Sequence, residues 1–122
     1  MMTFTVPFPP SVNTYWRHVG NKVLLSAGAR EYRSAVAESV VLWAYRYREA
    51  LTGRLKVEIE VCAPDRRRYD IDNRTKGLLD ALQHCGVYLD DWQIDDLSVK
   101  RLPPQAPEFA RVTIREIQSH DA

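Results

Sequence analysis

Cysteine is scarce in this sequence. The only two, Cys62 and Cys85, stand far apart with no C-x-x-C and no paired histidine. That argues against a zinc site and leaves two reduced, partly buried thiols as the expectation. Net charge is nearly absent as well, since 17 Lys and Arg against 16 Asp and Glu leave +1 over 122 residues. Long hydrophobic runs are missing too. The longest, Val40 to Tyr45, falls far short of the roughly 20 residues that cross a bilayer. Met1 to Ser11 lacks the positive n-region and the apolar h-region of a secretory signal. No membrane partner is therefore expected, and the cytoplasm is the expected compartment. What is present excludes disorder, because 45% of the residues are hydrophobic and 10% aromatic, the reverse of a disordered composition. A chain of this length can remove roughly two-thirds of its unfolded surface from water, enough for one core in a single domain over residues 1–122.

The near-zero net charge would argue against a nucleic-acid binder if the charges were evenly spread, but they are segregated. Residues 1–76 hold 13 basic and 8 acidic side chains, while residues 77–122 hold 4 basic and 8 acidic. The chain has a basic part and an acidic part.

Periodicity orders the elements. Proline-rich P-F-P-P-S-V-N follows a short extended segment at Thr3 to Val6, and each proline fixes φ and pushes its predecessor toward extended geometry. Tyr32, Val36, Val40, Trp43, Tyr47 and Leu51 recur at helical spacing, predicting one long helix from Ser26 to about Leu51, with Ser26 as its cap and Arg46 and Arg48 suited to its C-terminal dipole. Arg54 to Cys62 alternates Leu55, Val57, Ile59 and Val61 against Lys56, Glu58 and Glu60, the pattern of a half-buried strand. A second helix is predicted from Ile71 to about His84, ended by Gly86. Gly77 inside it costs about 1 kcal/mol against alanine, which points to close backbone packing or a weak first turn. Strands near Ile94–Leu102 and Glu108–Ile117 flank P-P-Q-A-P and read as a hairpin. The expected fold is α+β, a mixed sheet with two packed helices in the order β-α-β-α-β-β.

Asp65 to Asp91, DRRRYDIDNRTKGLLDALQHCGVYLDD, is the informative stretch. Asp70 and Asp72 can converge only if Asp70 stays in the extended segment and Asp72 enters the first helical turn. Two neighbouring carboxylates repel unless a cation lies between them, and hard oxygen ligands without His or Cys favour Mg²⁺ or Mn²⁺. The plainer alternative is that either acid simply caps the helix. Lys76 lies four residues after Asp72 on the same helix face, as an ordinary surface pair or as a cation beside a bound phosphate. Arg66, Arg67, Arg68 and Arg74 surround the segment, and neutralising phosphates is what drives sequence-independent DNA affinity. A third acid would be Asp90 or Asp91, between which periodicity does not choose. Asp95 and Asp96 are expected to face solvent, and Asp80, two turns after Asp72, is a weaker candidate for a place behind the site. From the residues alone, the reading reaches a metal-dependent phosphodiesterase acting on nucleic acid.

P-D-R-R-R-Y-D-I-D-N-R-T-K followed by A-L-x-x-C-G-V-Y-L-D-D, with P-P-S-V-N-T-Y-W-R near the start, resembles the RusA family of Holliday junction resolvases, the crossover junction endodeoxyribonucleases. The likeness covers nearly the whole chain. It implies a homodimeric, Mg²⁺-dependent nuclease, common on phage-derived elements, that makes paired symmetric cuts in four-way DNA junctions during recombination and repair, without an organic cofactor. Carried over by position, Asp70, Asp72 and Asp91 would be the metal-binding catalytic acids and Lys76 an active-site cation. Asn73 would orient a carboxylate or reach a phosphate. Asn13, Arg17, Arg66, Arg67 and Arg68 would lie in DNA-contacting segments, with Arg74 beside them. Tyr69 departs from the family pattern, standing where an arginine is found, so that it would stack on a base rather than contact a phosphate. Two other readings remain: a non-catalytic nucleic-acid-binding module, and a less selective metal-dependent nuclease.

Overall fold

The computed structural model describes residues 1–41 and 49–118. Its main sheet has four strands, β1 (Met2–Val6), β4 (Arg54–Cys62), β5 (Ile94–Arg101) and β6 (Phe109–Ile117), in the order β1-β6-β4-β5. Strand β4 falls at the predicted residues, and its alternation explains its central place. Leu55, Val57, Ile59 and Val61 are all buried on one face, where they meet Ala110, Val112 and Ile114 of β6. Each such side chain contributes roughly 1.5–3 kcal/mol when fully buried. Two helices cover that face. Helix α2 (Ala27–Ser39) presents Ala29, Tyr32 and Val36, and helix α3 (Thr75–His84) presents Leu78, Leu79, Ala81 and Leu82. Ser26 caps α2 as predicted, its Oγ accepting from the Ala29 amide at 3.0 Å.

Three expectations are corrected. The long helix does not run to Leu51. Val40 is the C-cap of α2, and Leu51 instead forms an isolated parallel bridge with Tyr88, its amide donating to the Val87 carbonyl at 3.0 Å. Trp43, Arg46, Tyr47 and Arg48 lie outside the described residues. Next, β5 and β6 form no hairpin. Both pair with β4, β5 parallel to it (Val61↔Arg101) and β6 antiparallel (Cys62↔Phe109). The proline-rich connection instead crosses the end of β4, where the Leu102 amide donates to Val61 and the Gln105 amide to Ala63. Helix α3 is the crossover that a parallel β4–β5 pair requires. Finally, a short helix α1 (Val12–Tyr15) and a separate hairpin of β2 (Trp16–Val19) and β3 (Lys22–Leu25) were not predicted. A signal was available, since Gly20-Asn21 is a two-residue hairpin turn and Gly20 has φ +60°.

Gly77 behaves as its cost suggested. A Cβ there would stand 3.1 Å from the ring of Tyr15, which is wholly buried against α3. The absence of a side chain at Gly77 lets α1 and α3 approach. Cys62 is buried and Cys85 half-buried, and both are free thiols. Among the described residues no helix is long and apolar enough to cross a membrane.

Candidate active site

The acids of interest lie at opposite ends of one βαβ unit. After β4 the chain leaves the sheet through exposed Arg66, Arg67 and Arg68, passes exposed Asp70 outside any helix or strand, and enters a single 3-10 turn at Asp72–Arg74 before α3 begins. Asp70 is thus outside the helix and Asp72 in its approach turn, and the two acids line different cavities. Asp72 Oδ1 accepts from the adjacent Asn73 amide at 3.0 Å, and Thr75 Oγ1 donates back to the Ile71 carbonyl at 2.9 Å. After α3, Gly86 adopts φ +86° and turns the chain back along the helix. A second 3-10 turn, Asp91–Gln93, then leads into β5.

This return brings the two halves together and separates the roles of Asp90 and Asp91. Asp90 caps the turn, its carboxylate accepting from the Trp92 amide at 2.9 Å. Gln93 completes a capping box. Asp91 points inward. Its Oδ2 stands 3.9 Å from Lys76 Nζ, and its Oδ1 accepts from the Tyr88 hydroxyl at 2.8 Å. That hydroxyl also lies 2.7 Å from the Leu79 carbonyl, so one proton serves two acceptors. Burial, reinforced by the Asp91 carboxylate, pushes the Tyr88 phenol far above its ordinary range, keeping it a donor throughout the working pH range. Asp72, Lys76, Leu79 and Leu97 line one shallow cavity of about 430 Å³, and Asp70, Asn73, Arg74 and Arg68 line another of about 460 Å³.

Several expected residues have definite partners. Arg74 Nη1 donates to the Pro9 carbonyl at 3.0 Å, and its guanidinium lies 5.2 Å from the Phe8 ring, tying the N-terminal segment to the site. The Tyr69 ring is already engaged, with the Arg101 guanidinium 4.7 Å from its centre and the edge of Phe8 at 5.4 Å. Asn13 and Arg17 are exposed on α1 and β2. Asp80 is held by groups outside the Asp70–Asp91 segment, while its charge also bears on Tyr88. It turns toward α2, where it accepts from the Tyr15 hydroxyl and from Arg33 Nε at 2.9 Å. Asp95 pairs with Arg54, whose guanidinium also covers the Trp92 ring at 4.2 Å.

The donor chemistry suits a hard divalent cation, but the spacing is open. Among the described residues no group of three His, Cys, Asp or Glu stands close enough together to hold a metal ion. Lys76 partly offsets the charge of Asp91 in this arrangement. Tyr88, Gln93 and Arg101 were missed from the sequence. The D-x-x-Q run at Asp90 to Gln93 is the capping-box signal that marks Gln93, whereas Arg101 enters through the parallel register alone.

The family model described as "Endodeoxyribonuclease RusA" matches residues 7–115. The chain is similar to "Crossover junction endodeoxyribonuclease rusA" of Enterobacteria phage HK97, 40% identical over 98 residues that cover 80% of each chain. It is also similar to the phage 82 protein of that name, 37% identical over 93% of this chain and 92% of the relative. The Escherichia coli K12 protein is 36% identical over 94% of both. A match over most of the length, on a domain that brings Lys76 beside Asp91 and sets Asp72 one helical turn before that lysine, has one meaning: the chain belongs to the RusA family of endodeoxyribonucleases.

Proposed function

We propose that this chain acts in the cytoplasm as a homodimeric, Mg²⁺-dependent endonuclease that resolves four-way DNA junctions by paired phosphodiester cleavage. The observation that carries the reading is the 3.9 Å approach of Lys76 to Asp91, residues from two motifs that α3 separates in sequence. The relatives' names supply the substrate class. Asp70, Asp72 and Asp91 are the acids that would hold the metal, and the segment carrying Asp70 and Asp72 has to close on Asp91 for the three to share one ion. A divalent cation there would polarise the phosphoryl group and offset the charge of the carboxylates.

The remaining work falls to the chain's own groups. Tyr88 fixes the Asp91 carboxylate by donating to Oδ1, leaving Oδ2 toward Lys76. The exposed Lys76 ammonium is placed to offset charge growing on the phosphate oxygens during cleavage. Asn73, beside Asp70 and Arg74, is placed to orient a carboxylate or reach a neighbouring phosphate. Arg17, Arg66, Arg67 and Arg68 are exposed cations for the DNA backbone, and Asn13 lies near Arg17 on α1. Two symmetric cuts by a chain with one site call for two-fold assembly. Light scattering at micromolar concentration should give a dimer mass, and a monomer would count against paired cleavage.

The absence of a gathered acid triad among the described residues favours a second reading, a DNA-binding module without catalysis. One experiment separates the two. A labelled four-way junction is incubated with and without Mg²⁺, beside duplex, fork and single-stranded controls. Metal-dependent paired nicks confined to the junction support resolution. Binding without nicking supports the module, and equal cutting of all four substrates supports a less selective nuclease.

A further inference from the structure

The parallel register of β4 and β5 sets Arg101 opposite Val61, and so beside the arginine loop that leaves β4. Arg101 is the last residue of β5. It turns back over Tyr69, its guanidinium 4.7 Å from the ring centre and its Nη2 donating to the Tyr69 carbonyl at 2.6 Å. Together with Arg66, Arg67 and Arg68 it lines a cavity of about 340 Å³ in which Asp65 is the only acid. Asp65 is committed to Arg67, accepting from its amide at 2.9 Å and lying 3.5 Å from its Nε. Among the described residues, no carboxylate lies within ion-pair reach of Arg66, Arg68 or Arg101. Three cations gathered around one concavity repel unless an anion joins them.

Arg68 and Tyr69 also line the cavity that contains Asp70, so the two concavities share a wall and run on from each other. Tyr69 is the partition. Its ring supports Arg101, and its hydroxyl is buried without a hydrogen-bond partner among the described residues. The hydroxyl therefore contributes nothing visible to its role, which belongs to the ring face and the backbone carbonyl.

The geometry points to a phosphate subsite formed by Arg66, Arg68 and Arg101, which seats a DNA backbone phosphodiester flanking the cut, with Tyr69 as the positioning residue that holds Arg101 in place. This deepens the nuclease reading and rests on it. A tyrosine at this position serves phosphate recognition indirectly, by aiming a cation that comes from another strand. Stacking and a carbonyl contact suit a planar guanidinium far better than an ammonium.

Junction binding in EDTA, followed by fluorescence anisotropy between 50 and 300 mM salt, tests it. R101Q should weaken binding about 5- to 10-fold at 100 mM salt and reduce the slope of log affinity against log salt by about 1. R101K should recover the slope but only part of the affinity. Y69F should bind like wild type. Y69A, which keeps the backbone carbonyl, should lose part of what R101Q loses, and the double variant Y69A/R101Q should be no weaker than R101Q. Arg101 and the Tyr69 edge are accessible, so circular dichroism should show all five variants folded. An unchanged slope in folded R101Q overturns the subsite, and additive losses in the double variant overturn the role of Tyr69. Competition by millimolar inorganic phosphate that vanishes in R101Q, alongside unchanged DNA binding, would make this a free-phosphate site and equally overturn the proposal. If wild type binds but never nicks with Mg²⁺, the nuclease reading fails while the slope measurement still decides the subsite.

Discussion

The turn that carries Asp91 and the segment that carries Asp70 and Asp72 differ in how firmly they are held. Around Asp91 nearly every polar group is committed. Gln93, buried, accepts from the amides of Leu89 and Asp90 and donates to the carbonyls of Leu51 and Gly53. Gln83 accepts from the Asp91 amide, and Tyr88 holds its carboxylate. On the other side, Asp72 accepts only from its neighbour's amide, and the Asp70 side chain makes no hydrogen bond among the described residues. One half of the site is pre-built and the other is adjustable.

The contrast can be broken from either side. Asp72→Asn removes a carboxylate from the adjustable half and should lower metal-dependent nicking at least about 10³-fold, equivalent to roughly 4 kcal/mol of barrier. Gel shift should show junction binding largely retained, and a full-rate variant would remove Asp72 from the site. Gln93→Ala attacks the built half. Leaving several buried backbone groups unpaired should cost about 3 kcal/mol in urea melts, since each such group costs roughly 1–3 kcal/mol. A loss under 1 kcal/mol would show that the turn is not held by this side chain.

How much of this was legible beforehand follows from the range of the forces involved. Strand β4, the Ser26 cap, the Gly86 stop and the placing of Asp72 in the first turn are local effects of periodicity and capping, and all could be read from neighbours in sequence. The pairing of β5 and β6 could not. P-P-Q-A-P is good hairpin chemistry, but β4 takes one strand on each edge, so that both rows of its buried backbone N–H and C=O groups are paired. The partners of Asp80 were hidden for a related reason. Helical spacing aligns it with Asp72, yet Arg33 and Tyr15, which bind it, come from elements remote in sequence. Arg101 depends wholly on strand register, which composition does not encode.

Two finer substitutions sharpen the comparison. Tyr88→Phe keeps the packing and removes the proton donated to Asp91. Nicking should fall about 10-fold, the usual cost of losing a group that orients a ligand, with junction affinity unchanged. An unaltered rate would mean that Lys76 alone suffices to place the carboxylate. Gly77→Ala, next to Lys76, brings a Cβ against a tyrosine ring that is buried and tied by its hydroxyl to Asp80. Overpacking should outweigh the gain in helix propensity and destabilise the protein by about 1 kcal/mol. A stabilised variant would show that α1 yields, and hence that the start of α3 is less constrained than its neighbours imply.

The β2–β3 hairpin, which carries Arg17, is built differently from the body. It joins the body at its base, where the Ser26 amide donates to the Tyr15 carbonyl at 3.0 Å and where Trp16 and Leu25 pack against the core. Val19, Val23 and Leu24 along its length are exposed. Because residues 17–24 are all exposed, residues can be inserted, deleted or recharged at its tip with little toll on folding. It is the natural place to graft new contacts.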